Sequence, residues 1–102
     1  MIHVIATIEI VPGKRAEYLQ AFHELVPHVL AEDGCIEYGP TIDIETPIEI
    51  QDPLRENIVT VVEKWETIES LVAHLQAKHM QENREKVKDM LAGIKIQILQ
   101  PA

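Results

Sequence analysis

Ile58-Val59-Thr60-Val61-Val62-Glu63-Lys64-Trp65-Glu66-Thr67 changes its period partway along. Its first part is β-branched and apolar on both parities, as in a strand covered on both faces. Thr67 then has the chemistry of a helix N-cap, and Ile68, Leu71, Val72 and Leu75 follow at helical spacing, facing inward. Trp65, the only tryptophan, stands where strand gives way to helix. Glu63 is two residues earlier and points to the same face of the strand. With His74 and His79 on the helical stretch beyond, a large ring, a carboxylate and two imidazoles can line one cavity. Such a cavity suits a flat, partly apolar, oxidisable molecule better than a phosphate or a nucleic acid.

Ile2 to Val11 alternates, with Ile2, Val4, Ala6, Ile8 and Ile10 on one side and His3, Ile5, Thr7 and Glu9 on the other. Pro12-Gly13 breaks this strand. A helix is expected over 14–32, with Leu19, Phe22, Val26 and Val29-Leu30 as its apolar stripe and Glu17, Gln20, Glu24 and Glu32 mostly opposite. Pro27 should bend or break it. Asp33-Gly34 ends it, and Cys35 to Glu45 reads as a second strand with Gly39-Pro40 at a bulge or edge. Residues 46–57 read as an exposed excursion in which Ile48 and Ile50 pack against something. A further helix over 80–91 carries Val87, Met90 and Leu91. Ala92-Gly93 stops it, and Ile94, Ile96 and Ile98 form a last strand.

The order β-α-β-β-α-β, with two helices on one face of an antiparallel sheet, is an α+β, ferredoxin-like sandwich occupying residues 1–102 as one domain. The helices cover one sheet face while Ile58 to Val62 asks for two covers. A second copy is the simplest partner for the other face, which predicts a homodimer with sheets face to face.

Length and charge narrow the function. A chain of 102 residues buries a modest share of its surface and gains from self-association. Apolar residues make up 46% and charged residues 25%, a globular composition. The net charge of -8, without clustered Lys or Arg, argues against nucleic acid. No apolar run approaches the roughly 20 residues of a membrane helix. The start, Met1-Ile2-His3-Val4, enters a strand with neither a basic region nor a cleavage site, so a cytoplasmic location is expected. Cys35 is alone, which excludes an internal disulfide and a cysteine metal cage and leaves a small buried hydrophobe. No phosphate loop, nucleophile elbow or glycosidase carboxylate pair occurs, so no cofactor is expected.

His74 and His79 lie about 140° apart on an ideal helix. The chelating i, i+4 arrangement is absent and no metal site is expected. A helix break near Ala77-Lys78 would still let both reach one cavity. Each is read either as a partly exposed polar residue or as a neutral imidazole that accepts a phenolic or enolic proton. His23 and His28 are expected at the surface. Glu63 must be paired or solvated: it either forms a structural ion pair, to Arg84 for example, or orients a histidine or serves as base. Tyr38 either packs in the core with its hydroxyl at the rim or donates into the pocket.

Gly34-Cys35 with Tyr38 three further on, Glu63-x-Trp65, and His74 and His79 on the next helix together resemble the antibiotic biosynthesis monooxygenase (ABM) domain family. The resemblance covers nearly the whole chain. It implies a dimeric α+β barrel with a pocket between the sheet and helices of each subunit. The family includes quinol monooxygenases that use oxygen without metal or flavin, haem-degrading enzymes and an isomerase-like enzyme. Haem-degrading members carry an Asn in the first strand, where Ala6-Thr7 stands here. Some polyketide-oxidising members have an Asn four residues before the Trp, where this chain has Val61. The resemblance favours Trp65 as a wall that stacks on an aromatic substrate, against plain core packing. It implies a cofactor-independent monooxygenase of a quinol-like or polyphenolic compound, with His74, His79 and Glu63 catalytic, Trp65 and Tyr38 binding substrate, and molecular oxygen as co-substrate. Alternatives are an isomerase or lyase of a small keto-enol compound and a non-catalytic dimeric ligand-binding module.

Overall fold

Alternation along Ile2–Ile10 produces β1, whose buried parity is Val4, Ala6, Ile8 and Ile10. The computed structural model describes residues 1–102. In chain order there follow α1 (Arg15–Leu30), β2 (Cys35–Thr41), β3 (Ile58–Trp65), α2 (Ile68–Gln76), α3 (Lys78–Val87), a 3-10 turn (Lys88–Met90) and β4 (Leu91–Leu99). The strands form one antiparallel sheet in the order β2-β3-β1-β4, which is the ferredoxin-like arrangement. In β3, Val59, Val61, Glu63 and Trp65 are buried, and Ile58, Thr60, Val62 and Lys64 on the other parity are half-buried.

Helix α1 runs unbroken through Pro27, three residues before its end at Leu30. A proline there removes one backbone bond but leaves too little helix beyond it to redirect. The buried stripe of α1 is Tyr18, Phe22, Leu25 and Val29, with Ala21 beside it, so Leu30 falls outside the core and is exposed. Phe22 stacks on Tyr38 of β2, with ring centroids 5.3 Å apart. Thr67 caps α2 as expected: its Oγ1 accepts from the Ser70 N–H and the Ser70 side chain closes the box. Of the residues expected to face inward on α2, Leu71 is buried, whereas Ile68, Val72 and Leu75 are substantially exposed.

Several expected boundaries move. Strand β2 ends at Thr41, and the segment beyond it is tied by Asp43 to Arg55 rather than by sheet bonds, with Arg55 Nη2 donating to Asp43 Oδ1 at 2.8 Å. Ile48 and Ile50 do not pack against the fold; both are exposed. The third helical stretch starts at Lys78 and its last turn tightens to 3-10. Leu91, Ala92 and Gly93 belong to β4, where the register slips against Glu9 and Ile10. A bulge absorbs an extra residue there, so the glycine sits in a strand instead of ending a helix.

Candidate active site

The strand–helix joint places the chemistry. Trp65 ends β3, is fully buried, and donates its indole N–H to Glu63 Oε1 at 2.9 Å. The period of two that puts both side chains on one face also puts them in hydrogen-bond reach. Burial pushes the Glu63 carboxyl up to about 6, the indole hydrogen bond pulls it down, and the charge of Glu32 adds to the rise. An ion pair to Arg84 does not form; Arg84 Nη2 donates instead to the carbonyl of Leu75.

In the last turn of α2, His74 is only 1% exposed. Its ring lies 4.6 Å from Trp65 and edge-on to Tyr38 at 5.4 Å. Nδ1 is 2.9 Å from Oε2 of Glu32. The helix breaks at Ala77, whose backbone is extended, and α3 restarts at Lys78. This break brings His79 back toward His74, and His79 Nε2 lies 2.6 Å from the same Glu32 oxygen. Burial lowers the His74 imidazole below its ordinary value, and the hydrogen bond and charge of Glu32 oppose that shift. The ring is therefore biased toward the neutral state in which an imidazole works as a base.

A cavity of about 170 Å³ lies between the sheet and the helices. Thirteen of its seventeen lining residues are hydrophobic, and His74, Glu63 and Tyr38 supply polar atoms beside Asn83 and Arg84. Its β4 side carries Ile94 and Ile96, both substantially exposed, so the cavity is open there. Trp65 is not among the lining residues; it backs His74. His79 lies outside the cavity as well, in a polar groove between α1 and α3 with His28 and Lys78. Of the five residues singled out from the sequence, His74, Glu63 and Tyr38 line one cavity, Trp65 stands behind His74, and His79 is joined to His74 only through Glu32.

Glu32 is the functional residue that sequence reasoning missed. The sequence pattern puts it on the polar face of a helix over 14–32, but α1 stops at Leu30 and Glu32 belongs to the turn, where its N–H bonds the Val29 carbonyl. Helical periodicity says nothing about a residue past the helix end. The one available signal was its nearness to Asp33-Gly34, which marks that end. Cys35, partly buried beside it, has its thiol pushed up by burial and by Glu32 and Glu63, opposite to what a nucleophilic thiolate needs.

The model of the antibiotic biosynthesis monooxygenase family matches residues 1–86. The chain belongs to that family. It is 41% identical over 103 residues to the "Probable quinol monooxygenase YgiN" of Escherichia coli K12, covering 99% of this chain and 98% of the relative. It is 30% identical over 93 residues to the "Putative monooxygenase YcnE" of Bacillus subtilis, covering 91% of this chain and 88% of the relative. A conserved protein of Methanosarcina mazei superposes with a TM-score of 0.82 at 27% identity, over 99% of this chain and 92% of that one. This ABM member has no helix long and apolar enough to cross a membrane.

Proposed function

We propose that the protein is a cofactor-independent monooxygenase of small quinol-like or polyphenolic compounds and works as a homodimer. The observation that carries this reading is a single one: a buried imidazole, His74, lines a small apolar cavity and is biased toward its neutral form. The likeness to a relative called a quinol monooxygenase supports the substrate class. The cavity is below the roughly 300–1,000 Å³ of drug-sized sites, which favours a compact ring system.

His74 takes the hydroxyl proton and leaves an electron-rich phenolate against a mostly apolar lining. The phenolate passes one electron to oxygen, and the radical pair recombines to form a ring C–O bond. One oxygen atom stays in the quinone product and the other leaves as water, so the substrate supplies all four electrons. Tyr38 and Glu63 contact the ring substituents. Trp65 holds His74 from behind, and His79 lies one hydrogen bond further out.

Oxygen uptake with a panel of naphthoquinols and phenols tests the reading. Uptake that needs the protein, survives a chelator and falls at least about a hundredfold in His74→Ala supports it. Absence of uptake across the panel sinks it. Turnover that proceeds unchanged without oxygen would instead support the keto-enol isomerase or lyase. Ligand-induced thermal stabilisation without turnover would support the binding module.

A further inference from the structure

Glu32 touches neither the cavity nor, by its position, any occupant of it, yet one of its oxygens meets both inner histidines. We propose that Glu32 is a positioning residue that fixes His74 as the Nδ1–H tautomer, leaves Nε2 bare on the cavity side, and serves as counter-charge when Nε2 takes the substrate proton. This inference rests on the reading of His74 as the base.

The geometry argues for it in three steps. A separation of 2.9 Å between His74 Nδ1 and Glu32 Oε2 requires a proton between them, and an ionised carboxylate can only accept. In neutral His74 the proton is then on Nδ1, and Nε2, which has no partner within the chain, is the acceptor left for a substrate hydroxyl. The side chain of Glu32 is only 14% exposed, and His79, 29% exposed, donates to the same oxygen from the groove side. Two donors hold the carboxylate in one orientation, as an anchored base requires.

When the substrate proton moves to Nε2, His74 becomes an imidazolium and the substrate an anion, and no other atom changes partner. Glu32 lies 2.9 Å from the ring that gains the charge. The remaining titratable or charged groups around this ring are His79 and Arg84 from α3, Tyr38 from β2 and Glu63 from β3, with Cys35 at the start of β2 and His28 behind His79 at 6.0 Å. Among them, Glu32 alone is a carboxylate hydrogen-bonded to His74.

Glu32→Gln keeps the shape and removes the charge. The expected result is a kcat at least about tenfold lower with KM within about twofold. The acidic limb of kcat/KM should move to lower pH, because an imidazole without its anion holds a proton less tightly. Glu32→Asp should recover part of the rate. Unchanged kcat per folded molecule with an unmoved acidic limb would overturn the proposal. Nitrogen NMR of the wild-type imidazoles decides the tautomer without any substrate: Nδ1–H for neutral His74 supports the proposal, and Nε2–H overturns it. Failure of oxygen uptake in the wild type would strike the monooxygenase reading alone, since the NMR result stands apart from turnover.

Discussion

A carboxylate held between an indole N–H and an apolar cavity wall cannot ionise as freely as one in water, and Glu63 is in that position. The sign of its effect on stability follows. With the folded-state value raised from 4.5 to about 6, the native protein holds more protons than the unfolded chain between those values. Stability from this group is therefore undiminished below about pH 4 and falls as pH rises to about 6, where both states are ionised. His74 works the other way, since its folded-state value is lowered and stability rises with pH through the histidine range. Glu63→Gln keeps an oxygen for the Trp65 N–H and removes the charge. It should be more stable than the wild type by about 2 kcal/mol at pH 7–8 and about equal to it near pH 4. Urea unfolding at several pH values measures that difference, and a difference flat with pH would refute the assignment. The pairing of Glu63 with Trp65 was half legible in the sequence: a period of two fixes a shared face, but the bond from the indole depends on where the ring turns. The Glu32 bridge was not legible, because it joins a turn residue to side chains more than forty positions away.

At the scale of elements, the position of Glu32 depends on the turn between α1 and β2. Gly34 has φ +82°, and a Cβ there would come within 2.6 Å of the Ser70 Cβ and 2.7 Å of its hydroxyl. Ser70 is also the closing residue of the Thr67 capping box, and the Gly34 carbonyl accepts from the Glu66 N–H at 2.8 Å. The turn that carries Glu32 is thus packed directly on the first turn of the helix that carries His74. Gly34→Ala should destabilise the protein by at least about 2 kcal/mol, as left-handed strain adds to the displacement of Ser70. Thr67→Ala, which removes only the cap, should cost about 1 kcal/mol. Thermal unfolding of the two variants compares them, and a Gly34→Ala protein as stable as Thr67→Ala would show that the close approach is not needed. The strand and helix types were legible from hydrophobic period and cap chemistry. The end of β2 at Thr41 was not, because Ile42 and Ile44 continue the alternation without any neighbouring strand to pair with.

At the scale of the whole molecule, the apolar surface left over decides the oligomeric expectation. The half-buried parity of β3 offers Ile58 and Val62 to the outer sheet face, interleaved with Thr60 and Lys64. A second row is barer. Ile94, Ile96 and Ile98 of β4 are 59%, 45% and 48% exposed, although they pair across from the buried Ile8, Ala6 and Val4. The helices stop short of this edge strand, which the sequence could not reveal because helix coverage depends on packing angle rather than pattern. Contiguous apolar rows of this kind are uncommon on monomers. A second copy over β4 would cover the row and, through Ile94 and Ile96, close the open side of the cavity. The expectation is a dimer by sedimentation at micromolar concentration, with a melting temperature that rises with protein concentration. Ile98 does not line the cavity, so Ile98→Lys should yield a monomer of lower melting temperature without altering the site directly. Should the wild type sediment as a compact monomer and melt independently of concentration, the dimer is refuted and the cavity keeps an open side in solution.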